Sequence, residues 1–440
     1  MAPRTAALLL GLLLLPAPAE VRKLTILHTN DLHARLLPDD HRLGGFAHLA
    51  TALRRELQGC ASCLYLNGGD SAQGTPVSTL FRGLPIFEVL RLMPPHAAAL
   101  GNHEFDYGWR RIAEFQSAAR FPILAANVQD PSGRLLTGRA WTILTAGGLR
   151  VGVIGVLTEM LPELTTPDLT GPWRALPVLP AVRRHAAELR DRADLLVVVS
   201  HITEEEERAV LTGVPEVGVI VSGHRHGGLQ EAVRDGPRVL VRVKSYGVEL
   251  GRLDLEIDTA AKLPVSSAWK RIPIDAGSFP PAPDIARTVA RWEAKVSKVV
   301  DVPIGESRRE FREPDVKLLM ERAMIDETGA DLAFQNLGGV RGFLPQGRLL
   351  ARHVWTVMPF DNQVVLGTFP GRDLPEALRK GRILDPGRDY VFATSDFVAA
   401  SQQSALGTTG LVFPRTGRLL RDVFVDWIKK QKVLDTALLR

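Results

Sequence analysis

The chain has 440 residues, of which 45% are hydrophobic and 23% are charged, and its formal net charge is +5. This composition excludes a disordered or fibrous protein, and the length predicts two domains. The positive charge is spread along the chain, without a long basic run or interleaved aromatic residues, so we expect no nucleic-acid polymer as a partner. A mildly basic surface would still favour phosphorylated small molecules.

The chain begins with a segment typical of protein export. Arg4 precedes an apolar run over 6–15, and the stretch Pro-Ala-Pro-Ala follows at 16–19. A charged start, a short apolar run and a small-residue cleavage site predict a signal peptide over 1–19, and the run is too short to span a bilayer. We therefore expect a mature chain from Glu20 that is periplasmic or extracellular, without a stable membrane anchor. An uncleaved anchor is the alternative.

Cys60 and Cys63 are the two cysteines of the chain, in the order Cys-Ala-Ser-Cys. In an exported protein such a pair favours a local disulfide. Two free thiols remain an alternative, and so do redox and metal-binding roles. The pair does not open a helix after a strand, and one such motif alone is weak evidence for zinc.

Five short apolar runs, bounded by glycines and polar residues, are predicted to be buried strands. Each run ends on residue types that bind metals. The runs are 24–27, 64–66, 97–100, 195–199 and 217–221, and the polar clusters after them are 28–33, 67–70, 101–106, 200–201 and 222–226. Sites in open α/β sheets gather at the carboxyl ends of strands, so these five ends predict one polynuclear metal site.

Seven side chains in these clusters are candidate metal ligands. They are Asp31, His33, Asp70, Asn102, His201, His224 and His226. Mixed oxygen and nitrogen donors suit divalent Zn, Mn, Fe, Co or Ni better than Ca or Mg. Asp70 offers two oxygens and is able to bridge two ions. Seven ligands with one bridge leave open positions on both ions, which is typical of catalytic metals.

Helical and strand-like runs alternate up to about residue 275, which predicts a sheet sandwich with helices outside. The helical runs are 45–57, 108–119 and 179–190, and the later strand-like runs are 238–243 and 251–257. The acidic run 204–207 is interpreted as the first turn of a helix, because the helix dipole favours acids there. His28 is interpreted as a packed residue at a strand end.

A Pro-rich break at 279–283 separates the two predicted domains. Asp284 is placed to cap a helix that runs to about Val300. Its apolar face would carry Ile285, Val289, Trp292 and Val296. We place the first domain at 20–278, the linker and helix at 279–302, and the second domain at 303–440.

The ordered motifs of the first domain resemble those of the calcineurin-like metallophosphoesterases. The matching segments are Asp31-Leu32-His33, Gly69-Asp70, Gly101-Asn102-His103-Glu104, His201 and Gly223-His224-Arg225-His226. The resemblance implies a four-layer α/β/β/α sandwich. It also implies one ion held by Asp31, His33, Asp70 and His226, and a second held by Asp70, Asn102, His201 and His224. His103 would face the leaving group and Asp106 would orient it, since an imidazole held by a carboxylate assists the departure of an oxygen.

The second domain resembles the C-terminal domain of the exported 5′-nucleotidase family, which includes UDP-sugar hydrolases and 2′,3′-cyclic phosphodiesterases. The matching segments are 331–341, 358–362 and 393–399. The resemblance implies a smaller mixed α/β substrate domain in which Arg341 grips a phosphate and Asn336 contacts the ligand. Phe360 and Phe397 would sandwich a flat base, because aromatic rings stack on bases.

Three departures from that family concern the substrate. An Asn-x-Gly-Asn motif expected near 313–318 is missing, and the nearby substrate-binding arginine is not unique. We choose Arg309, with Arg308 and Arg312 as alternatives. The stretch 400–404 replaces a Gly-Gly-Asp-Gly segment whose acid meets the ribose in relatives. Asp361 stands where glycine is usual.

We therefore expect an exported phosphohydrolase with two divalent ions (Zn, Mn, Co or Fe) that acts on nucleoside 5′-monophosphates by attack of metal-bound hydroxide. A cyclic nucleotide, a nucleotide-sugar or a non-nucleotide phosphoester on the same site is the alternative. A non-catalytic phospho-ligand binding protein would be expected to lack a ligand or His103, and the sequence retains both. Metal identity and oligomeric state are not indicated.

Overall fold

The computed structural model describes residues 20–379 and 382–439, so the predicted signal peptide lies outside the described residues. The strands are β1 Val21–Thr29, β2 Cys63–Asn67, β3 Ala97–Ala99, β4 Ile123–Leu124, β5 Val128–Gln129, β6 Trp141–Ala146, β7 Leu149–Leu157, β8 Arg174–Ala175, β9 Leu195–His201, β10 Val217–Ser222, β11 Val233–Asp235, β12 Arg238–Val241, β13 Glu249–Asp258, β14 Leu263–Pro273, β15 Pro303–Ser307, β16 Leu332–Ala333, β17 Gly347–Leu350, β18 Gln363–Pro370, β19 Asp389–Ser395, β20 Arg415–Leu419 and β21 Val433–Leu434.

Helices connect and cover these strands. The α-helices are α1 Phe46–Leu57, α2 Pro76–Phe81, α3 Leu84–Leu90, α4 Arg111–Ala119, α5 Leu161–Leu164, α6 Pro167–Thr170, α7 Val178–Leu189, α8 Glu204–Gly213, α9 Pro283–Val300, α10 Glu313–Thr328, α11 Ala351–Val357, α12 Glu376–Arg379, α13 Asp396–Ala400, α14 Gln402–Leu406 and α15 Leu420–Gln431. Short 3₁₀ helices span Asn102–Phe105, Leu337–Gly339, Gly371–Asp373 and Thr436–Leu439. None of the helices in the described part of the chain is long and apolar enough to cross a membrane.

Two six-stranded sheets pack face to face in the first lobe, which we define as residues 20–300. Their strand orders are β14-β13-β1-β2-β3-β4 and β11-β12-β10-β9-β7-β6. Ile26 and Leu66 from the first sheet share one buried cluster with Val197 and Val221 from the second. Helix α1 covers the outer face of the first sheet, and α7 and α8 cover that of the second. The predicted α/β/β/α sandwich is confirmed.

All five predicted ligand-bearing runs are strands. β1, β2 and β3 are parallel neighbours in the first sheet, and β9 and β10 are parallel neighbours in the second. Because each set is parallel, the polar clusters that follow its strands gather at one edge of its sheet. The predicted helices are found as α1, α4 and α7, and the two later strands as β12 and β13.

Helix α9 carries the predicted buried face but begins differently from the prediction. Ile285, Val289, Trp292 and Val296 are buried in the core of the first lobe. The prediction that Asp284 caps the helix is wrong: the N-cap is Ala282, since Pro283 starts the helix with a backbone angle already suited to it. Asp284 lies in the first turn and forms an ion pair with Arg54 at 2.7 Å.

The second lobe, residues 303–439, is smaller and mixed α/β, as predicted. It contains a three-stranded sheet, β17-β15-β21, and a four-stranded sheet, β16-β19-β18-β20. Helices α10 and α15 share its main core, in which Met320, Met324, Phe424 and Trp427 are buried. The three substrate segments lie after β16, between α11 and β18, and at the end of β19 with α13.

Two local predictions in the first lobe are resolved by the structure. Cys60 and Cys63 form a disulfide, with their Cα atoms 5.5 Å apart. The acidic run begins α8 as predicted, with Thr203 as its N-cap. Glu206 and Thr203 form a capping box in which each side chain accepts a hydrogen bond from the backbone nitrogen of the other.

Candidate metal centre and active site

The strand ends that carry the predicted ligands have unusual backbone angles. Asp31, His33, Asp70 and His224 have positive φ values, between 47° and 72°. Residues other than glycine seldom adopt this region, and clusters of such residues are typical of functional sites. The backbone nitrogen of His33 donates to the carbonyl of Asp70 at 3.0 Å, so the ends of β1 and β2 brace each other.

One group of donor atoms is formed by Asp31, His33 and His226, which lie within 4.8 Å of one another. His33 Nε2 is 3.0 Å from His226 Nε2. Asp31 Oδ1 lies 3.9 Å from His33 Nε2 and 3.8 Å from His226 Nε2. Asp70 Oδ2 is 3.9 Å from His33 Nε2, so four of the predicted ligands converge on one point.

A second group lies on the other side of Asp70. His201 Nε2 is 3.0 Å from Asp70 Oδ2 and 3.1 Å from Asn102 Oδ1. The ring of His224 lies 5.1 Å from that of His201, between centroids. Asp70 is therefore common to both groups, which is the position required of a bridging carboxylate.

Backbone carbonyls fix the two most deeply buried histidine rings. His33 Nδ1 is 3.0 Å from the carbonyl of Gln73, and His201 Nδ1 is 2.8 Å from that of Gly68. A carbonyl accepts only from a protonated nitrogen, so Nδ1 carries the hydrogen in both rings. Nε2 is then the ring nitrogen directed at the donor cluster in both residues, as in metal-binding histidines.

Hydrogen bonds also orient the two carboxylates. Asp31 accepts from Asn30 Nδ2 at 2.7 Å and from the backbone nitrogen of His224 at 3.0 Å. Asp70 Oδ1 accepts from the backbone nitrogen of His103 at 2.9 Å. These contacts leave Asp70 Oδ2 directed at both groups of donors.

Glu104 organises the site, and it was not among the residues predicted from the sequence. Its Oε1 accepts from the backbone nitrogens of Ser71 and Ala72 at 2.8 and 3.0 Å, and its Oε2 accepts from those of Gly101 and Asp70 at 2.7 and 3.1 Å. Glu104 is buried, with 3% of its surface exposed. Its place directly after Asn102-His103 in the strongest motif was the available signal.

The donor cluster fits a pair of divalent ions in both shape and charge. A Cβ at Gly101 would collide with Asp70, and one at Gly223 would collide with Gly68, so side chains are excluded around the donors. Burial lowers the pKa of His224 and of His226 to about 3, which keeps their nitrogens unprotonated. Against the effect of burial, the carboxylates of Asp70 and Asp31 raise the pKa of His201 to about 9, so an ion that binds here would take the place of a proton on that ring.

His103 occupies the edge of this cluster and is engaged at both ring nitrogens. Its Nδ1 is 2.8 Å from Asp106 Oδ2, the partner expected from the sequence. Arg341 Nη2, from the second lobe, donates to His103 Nε2 at 2.6 Å. His103 Nε2 is 4.0 Å from Asp70 Oδ2, but a nitrogen that accepts from Arg341 has no lone pair left for a metal.

A cavity of about 920 Å³ separates the two lobes above the donor cluster. Four of the five predicted substrate residues line it: Asn336, Arg341, Phe360 and Phe397. The Phe360 ring centroid lies 5.6 Å from the Arg341 guanidinium carbon and 5.9 Å from the His103 ring centroid. A cation, an imidazole and the Phe360 ring thus lie side by side in the cavity wall.

Arg309 is not brought to this cavity. Its Nη2 forms an ion pair with Asp315 at 2.7 Å, and its guanidinium lies 4.2 Å over the Phe311 ring. Arg35 of the first lobe lies closer to the site, because it donates to the carbonyl of Arg341 at 3.1 Å. No local signal near Arg35 indicated that contact, which depends on how the lobes pack.

Other wall residues were also absent from the predicted set. The segment 164–169 lines the cavity from the first lobe, and Gln73, Asp361 and Asp396 line it elsewhere. In the divergent stretch 400–404, Ala400 reaches the cavity, whereas 401–404 line a neighbouring cleft of about 600 Å³. The divergent stretch therefore contributes only its first residue to the wall of the main cavity.

Comparison with protein families divides the chain in the same way as the fold. The family model described as calcineurin-like phosphoesterase matches residues 24–228. The model for the C-terminal domain of 5′-nucleotidases matches residues 295–396. The first match contains all the predicted metal ligands, and the second contains Asn336, Arg341 and Phe360.

Named relatives point in the same direction. Protein 5NUC of Lutzomyia longipalpis is 34% identical over 226 residues, and the match covers 46% of this chain but 39% of that protein, less than half its length. A 5′-nucleotidase of Vibrio parahaemolyticus is 28% identical over 418 residues, with 81% of this chain and 74% of that protein covered. A solved 5′-nucleotidase precursor from Thermus thermophilus shares the fold, with a TM-score of 0.83, 23% identity, and 94% and 97% of the two chains covered.

Proposed function

We propose that this chain is a metal-dependent phosphoester hydrolase of the 5′-nucleotidase family, with a calcineurin-like phosphoesterase domain, and that its substrates are nucleoside 5′-monophosphates. The observation that carries the proposal is the contact between Arg341 of the second lobe and His103 of the first. The contact supports the proposal because a guanidinium, which suits phosphate, lies beside the candidate leaving-group residue. Phe360 and Phe397 line the same cavity.

The donor cluster would hold two divalent ions. Asp31, His33 and His226 would bind one, and Asn102, His201 and His224 would bind the other, with Asp70 between them. When bound, such a pair supplies an activated water and neutralises phosphoryl oxygens. The mixed donors support Zn, Mn, Co or Fe.

The chain's own residues would then handle the phosphoryl group and the leaving oxygen. Arg341 has a forked guanidinium that suits two phosphoryl oxygens, and a substrate there would replace His103 as its partner. His103 Nε2 would be released toward the leaving oxygen, while Asp106 keeps Nδ1 in place. Once free of Arg341, Nε2 would take up a proton from solvent, which is favoured because Asp106 and Asp70 raise the pKa of His103 against the effect of burial, and it would donate that proton to the departing nucleoside oxygen.

A phosphate-release panel tests this proposal. The purified protein is assayed with AMP, other nucleoside monophosphates, a 2′,3′-cyclic nucleotide, a nucleotide-sugar and a simple aryl phosphate, each with added Mn, Co or Zn. We expect the highest kcat/KM for nucleoside monophosphates. A panel in which the aryl phosphate equals or exceeds all nucleotides would refute the nucleotide assignment.

A non-nucleotide phosphoester is the second candidate, and one observation favours it. The stretch that would hold the ribose acid in relatives contributes Ala400 to the cavity wall and no carboxylate from 401–404. A substrate without a ribose would not need that acid. Equal kcat/KM for AMP and for a deoxynucleotide, both below the aryl phosphate, would support this candidate.

We also propose that the protein is exported. The support is the charged and apolar pattern of residues 1–19, together with the Cys60–Cys63 disulfide, which is favoured in oxidising compartments. Mass spectrometry of the protein recovered from outside the cytoplasm should give a mature chain that starts at Glu20. Recovery of the chain with residues 1–19 intact, in the cytoplasm, would contradict export.

A further inference from the structure

We propose that the side-chain amide of Gln73 is a substrate-binding group that donates a hydrogen bond to a phosphoryl oxygen. This inference rests on the proposed function, because it assigns a new group to the same site. Gln73 lines the cavity together with Asp70, His103 and Arg341, and it is 1% exposed. Neither its side-chain oxygen nor its nitrogen has a hydrogen-bond partner within the described residues.

An unpaired amide in such a place needs a physical reason. A buried polar group without a partner is costly, and most buried polar groups in proteins are paired. The cost is offset if a bound ligand supplies the partner. Gln73 differs in this respect from Asn102, whose side-chain oxygen already lies 3.1 Å from His201 Nε2.

The backbone around Gln73 is held on both sides and its side chain is buried, so little freedom is left to the amide before the substrate binds. The Gln73 carbonyl accepts from His33 Nδ1 at 3.0 Å, and the nitrogen of Ala72 donates to Glu104 at 3.0 Å. Gly74 has a φ of 143°, and a side chain there would collide with the carbonyl of His33. Donors fixed in this way stabilise developing charge without reorganising.

The location at the metal end of the cavity identifies the substrate atom. The carbonyl of Gln73 accepts a hydrogen bond from His33 Nδ1, a member of the first donor group, and Gln73 lines the cavity together with Asp70, which is common to both donor groups. The group expected at the metal end is the phosphoryl group, whose oxygens are charged acceptors. The Nε2 hydrogens of Gln73 are donors, and Arg341 accounts for the other phosphoryl contact from the protein.

The test is Gln73→Met, which keeps the length of the side chain and removes its polar atoms. In the holoenzyme we expect kcat/KM to fall about 10- to 100-fold, the size expected for a hydrogen bond to a charged group. AMP and a simple aryl phosphate should lose equally, because both carry the phosphoryl group. The melting temperature without ligand should be unchanged or higher, since an unpaired buried amide has been removed.

Inorganic phosphate is the binding probe. Phosphate should raise the melting temperature of the wild type, because a ligand that binds the folded state stabilises it, and should raise that of the variant less. Gln116→Met is the matched control. Gln116 donates to the carbonyl of Thr137 at 2.9 Å, away from the cavity, so this variant should lose stability and keep its kinetics.

The outcomes separate this inference from the proposed function. Wild-type kcat/KM and a wild-type phosphate shift in Gln73→Met would overturn the inference and leave the nucleotidase proposal standing, as would a fall in melting temperature without kinetic change. If phosphate raises the melting temperature in a way that depends on Gln73, but the protein does not hydrolyse AMP, the inference stands and nucleotides are refuted as substrates. If Gln73→Met does not fold, Gln73→Glu serves instead, since its carboxylate repels phosphate and should abolish the shift.

Discussion

The metal side and the substrate side of the cavity differ in how firmly their side chains are held. On the metal side, each carboxylate and each deeply buried ring has a hydrogen bond that fixes it, as Gly68 fixes His201 and Asn30 fixes Asp31. On the substrate side, Phe360 lies in the loop between α11 and β18, and Phe397 lies in the first turn of α13. The stretch 400–404 that follows Phe397 differs in sequence from the family pattern. Chemistry requires atoms placed to a fraction of an ångström, whereas recognition tolerates replacement of its contacts.

Removing the shared carboxylate would break the metal side most severely. Asp70→Asn should lose bound metal, and turnover should fall by about 10³-fold or more, because bound ions supply several kcal/mol of transition-state stabilisation. Elemental analysis and phosphate release measure the two effects. Asp254→Asn, a carboxylate of β13 outside the cavity, is the control. Full turnover in an Asp70→Asn protein that contains no metal would exclude metal-dependent catalysis.

His103→Ala tests whether the same side contains a residue that acts without binding metal. Turnover should fall about 10²–10⁴-fold, the usual contribution of a general acid, while metal content stays near the wild-type value. His96→Ala, an exposed histidine of the same lobe, should keep both. Loss of one ion from His103→Ala, with an unchanged rate per bound ion, would make His103 a ligand instead.

The aromatic pair tests the substrate side. If a base stacks between the rings, Phe360→Ala and Phe397→Ala should each weaken nucleotide binding by about 1–3 kcal/mol. A simple aryl phosphate has no nucleobase and should be affected much less. The measurement is the ratio of kcat/KM for AMP to that for the aryl phosphate. A constant ratio across wild type and both variants would remove the pair from recognition.

His28 should give the smallest effect, on stability and with a defined pH dependence. It is fully buried against Trp269, with ring centroids 5.2 Å apart, and burial lowers its pKa to about 3. Between pH 6.5 and 3 the unfolded chain binds a proton that the folded chain does not, so stability falls as pH falls below 6.5. At pH 5.5 the loss is about 1 kcal/mol.

His28→Phe keeps a ring beside Trp269 and removes the titrating group. Its melting temperature should therefore drop less than that of the wild type between pH 7.5 and 5.5, by about 2–4 °C. The metal-site histidines are common to both proteins and cancel in this difference. The exposed His41→Phe serves as the control. An identical drop in wild type and His28→Phe would show that His28 does not govern acid stability.

The sequence predicted what depends on local patterns. Each metal-binding cluster follows its own apolar strand directly, so strand assignment was enough to bring Asp31, Asp70 and His201 toward one place. The two-sheet sandwich, the five strands and the buried face of α9 are confirmed. Helix α9 begins at Pro283, whose ring suits the first helical position, and Asp284 forms an ion pair with Arg54 instead of capping the helix.

Residues that reach the cavity through tertiary packing could not be predicted in this way. Arg309 is close in sequence to the family motif, yet Asp315 and Phe311 hold its guanidinium. Arg35 follows a metal motif and carries no pattern of its own, although it contacts the second lobe. The role of Glu104 depends on four backbone nitrogens from two loops, which become neighbours only after folding.

The burial of α9 has a consequence for dividing the protein into parts. A cut at the Pro-rich stretch before the helix would expose the part of the first-lobe core that α9 covers, and the resulting fragment would be poorly soluble. The core residues removed by that cut would be Ile285, Val289, Trp292, Val296 and Val300. A cut after Val300, where two residues lead into β15, leaves that core closed. If two related genes exchanged lobes by recombination after Val300, α9 would stay with the two-sheet sandwich whose core it completes.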